Sequence, residues 1–156
     1  KELLEKYDTQ PGELELEITE TALMQDPDFA AHLLHRSADL GVKLSIDDFG
    51  TGYASLGYLR HLPISSLKID RLFVKEMLKN EQDAIIVRST IGLAHNLSMQ
   101  VIAEGVEDSH TCNALEEMGC DVAQGYYLSE PRTWTDIQRW LQDTYLDAQR
   151  TVAHLH

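Results

Sequence analysis

Leu14-Glu-Leu-Glu-Ile-Thr19 alternates apolar and polar side chains with the period of a strand, and Pro11-Gly12 marks a turn just before it. Leu14, Leu16 and Ile18 fall on one face of that strand, Glu15 and Glu17 on the other. A helix is predicted over Asp28 to Leu40, where Phe29, Leu33, Leu34, Ala38 and Leu40 recur at helical spacing behind an Asp-Pro-Asp start, with Gly41 placed to end it. Val42 to Asp47 repeats the strand alternation. Ser66 to Ile69 reads as a short strand, Gln82 to Leu97 as a helix and Gln100 to Ala103 as a strand. Ser109 to Met118 reads as a helix closed by Gly119, Asp121 to Tyr126 as a strand, and Thr135 to about Gln149 as a helix.

Five strands alternating with helices call for crossover connections and a parallel α/β sheet, either doubly wound or closed as a barrel. The strand ends favour the barrel. They run into Glu17, Asp47, Lys68, Glu104 and Gln124, one polar group at each carboxyl end. In the first three strands that group lies opposite Ile18, Ile46 and Leu67/Ile69, and so points away from the helix-packed face. In the last two the separation is less clean, because Ile102 shares the parity of Glu104 and Val122 that of Gln124. Polar groups converging from the carboxyl ends of parallel strands are what a TIM-type site requires. A closed barrel uses eight strands and about 250 residues, so this sequence of 156 residues predicts a partial (β/α) TIM-like barrel.

Charge narrows the chemistry. Thirteen Lys and Arg against 26 Asp and Glu leave a net charge of −13, which argues against sequence-independent binding of DNA, RNA or anionic lipid. No apolar run reaches the roughly 18 residues of a membrane span, and the first residues lack a signal peptide's basic-then-apolar order, so a cytoplasmic protein is expected. Cys112 and Cys120 lack the spacing of a zinc or redox pair and are expected as free thiols. The chain begins with Lys rather than Met, which fits a piece of a longer protein.

Glu17, Asp47, Asp48 and Glu104 would crowd several carboxylates into one mouth, where bare oxygens repel unless cations intervene. Hard divalent ions such as Mg²⁺ or Mn²⁺ take such oxygen ligands, and a shared carboxylate can hold two of them about 3.5–4 Å apart, ready to clamp a phosphoryl group. The plainer alternative has Asp47 and Asp48 capping a turn, with Glu17 and Glu104 solvated at loop edges. Recurrence at successive strand ends favours the site. Two glycines in Asp47-Asp-Phe-Gly-Thr-Gly-Tyr53 permit close backbone approach to a ligand or metal. This loop is neither a Walker loop nor a GxGxxG turn, and no kinase catalytic loop follows it.

Five blocks in this order, Leu16-Glu-Ile-Thr-Glu20, Asp47-Asp-Phe-Gly-Thr-Gly-Tyr-Ala-Ser-Leu56, Leu67-Lys-Ile-Asp70, Ala103-Glu-Gly-Val-Glu107 and Gln124-Gly-Tyr126, closely resemble the EAL-domain family of cyclic di-GMP phosphodiesterases. The resemblance implies a bacterial signalling domain with a modified TIM barrel, represented here by about five β/α units. It implies hydrolysis of cyclic di-GMP to linear pGpG with two Mg²⁺ or Mn²⁺ ions. It casts Glu17, Asp47 and Asp48 as metal ligands, and Glu104 with Lys68 as the pair that orients and deprotonates the attacking water. Gln124 and Glu107 match further site positions, and Glu20 matches the residue anchoring the loop after Asp47. It also brings in a homodimer through that loop, and a larger, membrane-tethered protein around the domain.

The family's Glu-Ala-Leu segment and a following ligand Asn would lie upstream of everything seen here, and no Glu-Ala-Leu occurs in the 156 residues. The resemblance thus covers roughly the carboxyl-terminal three-fifths of such a domain, over residues 1–142, with 143–156 as the end of the last helix and a tail. The missing upstream half of the barrel is then an expected partner, and the chain alone is expected to be nearly inactive. The rival class is a non-catalytic module that binds cyclic di-GMP or a protein. His32 and His35 read as a solvated helix face, and Trp134 and Trp140 as core or docking contacts.

Overall fold

The computed structural model describes residues 2–51 and 56–142. Five strands, β1 (Glu15–Thr19), β2 (Lys43–Phe49), β3 (Ser66–Ile69), β4 (Gln100–Glu104) and β5 (Val122–Gln124), form one parallel sheet in the order β1-β2-β3-β4-β5. Helices α1 (Glu2–Lys6), α2 (Glu20–Gln25), α3 (Pro27–Asp39), α4 (Leu56–Leu59), α5 (Arg71–Glu76), α6 (Glu81–Asn96) and α7 (Ser109–Glu117) lie around and between them, with α8 over 134–142. Strand follows strand through helix, as the hydrophobic pattern predicts. The rest of the predicted last helix and the tail, 143–156, lie outside the described residues, as do 52–55 of the glycine-containing loop.

The core sits between the sheet's helix-facing side and the helices. Ile46, Leu67, Ile69, Val101 and Ala103 from the strands are fully buried against Leu23, Val74, Val87 and Leu115 from the helices. Each large aliphatic group contributes on the order of 1.5–3 kcal/mol through burial. Side-chain caps fix where the helices begin. Thr19, Asp26, Asp70, Asn80 and Asp108 each accept a backbone N–H from the first turn of the helix that follows.

Four expectations change. The short helices α2 and α5, springing directly from β1 and β3, were not apparent in the hydrophobic spacing, because six residues cannot display a helical period. The last strand is only three residues long. Leu14 and Leu16 do not share the burial of Ile18. Leu16 is 43% exposed, because β1 is an edge strand among the described residues and pairs only with β2. On α3 the packed side is Ala30 and Leu34, with Ala31 and Ala38 partly buried, whereas Phe29, Leu33 and Leu40 face outward. Small residues let α3 approach the sheet closely, and its bulkier apolar stripe is left exposed.

The start of β4 is pinned by Asp121, whose Oδ2 accepts the Val101 N–H at 2.8 Å and lies 3.0 Å from Nε2 of His95. The Val101 amide, then His95, hold this carboxyl below the usual carboxylate range. A lowered native pKa stabilises the fold above the ordinary value near 3.8, and that stabilisation is lost as pH falls through the lowered one. Asp121→Ala leaves the N–H of fully buried Val101 without its acceptor and should cost about 1–3 kcal/mol at pH 7. Urea unfolding checks this, with the gap to the parent closing as pH falls below the ordinary carboxylate range. Equal midpoints at pH 7 would show that the bond contributes nothing.

Candidate active site

Parallel register sets what can meet at the sheet's carboxyl end. Glu17 lies opposite Ser45, Thr19 opposite Asp47, Lys68 opposite Ile102, and Glu104 opposite Gln124. Alternation therefore turns Glu17, Asp47, Lys68, Glu104 and Gln124 to the face away from the helices. On β4 the helix-packed side is Val101 and Ala103, so Ile102 sits beneath Glu104 on the site face.

At the centre is Lys68, 5% exposed. Its Nζ lies 2.6 Å from Glu104 Oε1, 2.8 Å from Glu17 Oε1 and 3.6 Å from Asp47 Oδ1. Burying an ammonium costs several kcal/mol unless partners replace its water. Here three carboxylates from β1, β2 and β4 do so. Burial works to lower the Lys68 pKa, but the hydrogen bonds to Glu104 and Glu17 and the charges of Glu104 and Asp47 outweigh it. The ammonium is held above the ordinary lysine range.

Asp47 and Asp48 occupy a bulge. Ile46 pairs with Leu67 and Phe49 with Ile69, so β2 fits one residue more than β3 into the same span. Asp48 has φ +55, a conformation that Asp adopts more readily than most residues. The irregularity breaks the strict alternation that would otherwise turn Asp48 to the helix face. Burial, then the charges of Asp47 and Asp70, raise the Asp48 pKa, with Lys68 opposing. Asp70 is the residue that sequence reasoning missed as a site neighbour. It is 9% exposed, caps α5 through the Leu72 N–H at 2.8 Å, and stands in the Leu67-Lys-Ile-Asp70 block that did carry a signal.

The flanking loops are fastened individually. Glu20, 2% exposed on α2, accepts the Gly50 N–H at 3.0 Å through Oε2. Glu107 lies outside the Lys68 cluster and pairs with Lys75 of α5 at 3.1 Å, both about half exposed. The turn bearing Glu107 is clipped to the one after β5, because the Val106 N–H donates to the Gln124 carbonyl and the Tyr127 N–H to the Val106 carbonyl, both at 3.0 Å. A cavity of about 290 Å³ opens between these turns beside Glu104 and Gln124.

Hard carboxylate oxygens, with Asp48 crowded by Asp47 and Asp70, fit a divalent cation in donor chemistry. As placed, Lys68 supplies the central positive charge, and among the described residues no three His, Cys, Asp or Glu side chains are grouped closely enough to hold a metal ion. His32 and His35 are exposed, Cys112 and Cys120 are free thiols, and Trp134 is largely exposed while Trp140 faces the Arg132 guanidinium. No helix among the described residues is long and apolar enough to cross a membrane.

Residues 1–131 match the EAL domain family. The cyclic di-GMP phosphodiesterase NbdA of Pseudomonas aeruginosa is 44% identical over 143 residues, 92% of this chain and 18% of that protein. The chain thus spans about a fifth of the length of such curated relatives. Among solved structures, a complex of the phosphodiesterase MucR of Pseudomonas aeruginosa with c-di-GMP superposes with a TM-score of 0.85 at 40% identity, over 87% of this chain and 55% of that one. A calcium and cyclic di-GMP complex of Klebsiella pneumoniae BlrP1 gives a TM-score of 0.74 at 30% identity, over 80% of this chain and 32% of that one.

Gly125 is what permits the clip between the two turns, since a methyl group there would overlap the Val106 carbonyl and amide. Gly125→Ala should separate the turns and forfeit both hydrogen bonds, at about 1–3 kcal/mol in total. Hydrogen exchange at the Val106 and Tyr127 amides, with thermal unfolding, measures it. Parent-like protection at both amides would mean the backbone accommodates the methyl at no cost.

Proposed function

Because the chain belongs to the EAL-domain family, we propose that it carries the greater part of the active site of a metal-dependent phosphodiesterase that hydrolyses cyclic di-GMP to linear pGpG. The observation that carries this reading is the gathering of Glu17, Asp47 and Glu104, from three different strands, around the buried Lys68 ammonium. In this reading the open edges of β1 and β5 are where the remaining strands of the barrel pair.

Glu17, Asp47 and Asp48 are the residues that would hold two Mg²⁺ or Mn²⁺ ions. When bound, such ions supply a lower pKa for attacking water and neutralise charge accumulating on the phosphoryl oxygens. Glu104 takes the proton from water as its oxygen attacks phosphorus, and the bond to the ribose 3′ oxygen breaks. Lys68 keeps its ammonium hydrogen-bonded between Glu104 and Glu17. It orients Glu104 through the 2.6 Å contact and lends positive charge to the transition state. Gln124, next to Glu104 in the sheet, lines the space for substrate, and Glu107 with Lys75 supports its wall. Glu20 holds the Gly50 end of the loop after the two aspartates.

The test is hydrolysis of cyclic di-GMP by the full-length protein with Mg²⁺ or Mn²⁺, with pGpG as product. Glu104→Gln should retain substrate binding and lose about 10²- to 10⁴-fold in kcat. Asp47→Asn should weaken Mn²⁺ binding by calorimetry, because an amide cannot supply the anionic oxygen. Cyclic di-GMP binding without turnover under either ion would instead make the protein a binding module.

A further inference from the structure

Two glycines lean on helix α5 at points where a side chain would crowd it. Gly50, in the loop after Asp47-Asp48, has φ +101, and a Cβ built on it would come within 3.0 Å of Cε2 of Phe73. Gly105, in the turn after Glu104, has φ +72, and a Cβ there would come within 2.5 Å of the Arg71 Cβ. Both backbones adopt a conformation that favours glycine, and both use the missing Cβ to sit directly on α5. Residues two apart on a helix point about 200° away from each other, so Arg71 and Phe73 leave α5 on opposite sides. The helix therefore stands between the two segments and touches one through each of these side chains. Its depth is set by Val74, which is fully buried in the core.

The loop after β2 departs from regular pairing. Asp48 and Gly50 both have positive φ, and the shift of register between Ile46 and Phe49 interrupts the ladder to β3. Gly50 is gripped from two directions, by the Glu20 carboxylate on its N–H and by the edge of the Phe73 ring where its side chain would be. The hydrogen bond fixes the amide, and the ring limits how far the loop can settle toward α5. Close-packed groups resist compression, so the width of α5 is passed on to the segments on either side. Carboxylates and a general base that act on one phosphoryl group must keep their separation to within about 0.5 Å. Resting on the phosphodiesterase reading, we infer that α5 is the spacer that sets this separation and that Phe73 is a positioning residue, which acts through Gly50 to hold Asp47 and Asp48 at their distance from Glu104.

The experiment compares Phe73→Leu, which withdraws the ring edge from Gly50, with Val87→Ala, which removes fully buried volume from α6. Both are made in the full-length protein and ranked by urea midpoint. Phe73→Leu should lose about ten- to a hundredfold in kcat with KM within about twofold of the parent. It should also bind Mn²⁺ several-fold more weakly by calorimetry and exchange its Gly50 amide faster. Val87→Ala should lose at least as much stability while keeping the parent's kcat, Mn²⁺ affinity and Gly50 protection. Phe73→Tyr, which retains the ring, should stay close to the parent in all three. Parent-like kcat and Mn²⁺ affinity in Phe73→Leu, or equal losses in Val87→Ala, would overturn the assignment. A parent that turns over no cyclic di-GMP would overturn the enzymatic reading alone. Mn²⁺ affinity and Gly50 exchange in the same variants would then decide the role of Phe73, loss in Phe73→Leu alone upholding it and any other pattern rejecting it.

Discussion

A single ammonium group, almost sealed from water, holds the carboxyl end of this sheet together. Lys68 reaches Glu17 on one side and Glu104 on the other, and Asp47 stands within 4 Å. Without a cation at that point the three carboxylates would repel one another in a partly desolvated space, and the strands bearing them would be pushed apart where their register requires them closest. The Glu20 tether on Gly50 and the clip between Val106, Gln124 and Tyr127 secure the loops on either side of that point. Among the described residues, this face lacks the extensive apolar packing of the helix side. What holds it is charge balanced against charge, and the balance is set by which residue ends each strand.

Much of this was legible because a strand's period is two, and five strands repeat the same arrangement. A polar residue at the carboxyl end of each, opposed in parity to the aliphatic positions, suffices to place Glu17, Asp47 and Lys68 on a common face. Glu104 and Gln124 were harder, since Ile102 and Val122 share their parity. The structure resolves this through burial, with Val101 and Ala103 on the covered side. Parallel pairing then converts a one-dimensional pattern into neighbours, which no single strand could reveal.

What stayed hidden depends on departures from periodicity. The bulge at Asp47-Asp48 is one residue of excess against β3, and nothing in a list of apolar positions registers it. Asp70 and Arg71 follow β3, one as a helix cap and the other as the first helical residue, in an element too short to show its own period. The exposure of Leu14 and Leu16 has a different cause. Their alternation is that of a covered strand, but covering depends on what lies beyond the edge, and only β2 adjoins β1 among the described residues. Local pattern states which face is apolar, and tertiary context decides whether that face is filled.

The order of the strands in space is also their order along the chain, and this bears on how the molecule assembles. Among the described strands, each of β2 to β5 pairs with its immediate predecessor, so none of these four ladders waits for a distant segment to arrive. The entropic cost of closure is met in similar small instalments, one β/α unit at a time. A sheet laid down this way can lengthen from either margin, and contacts of modest sequence separation favour comparatively rapid formation for a parallel topology. Such growth has a vulnerable stage, since the margin reached at any moment presents unpaired backbone groups until the next strand docks. The charged side chains Glu15 and Glu17, on strand β1 at one margin, discourage a second molecule from docking there in its place.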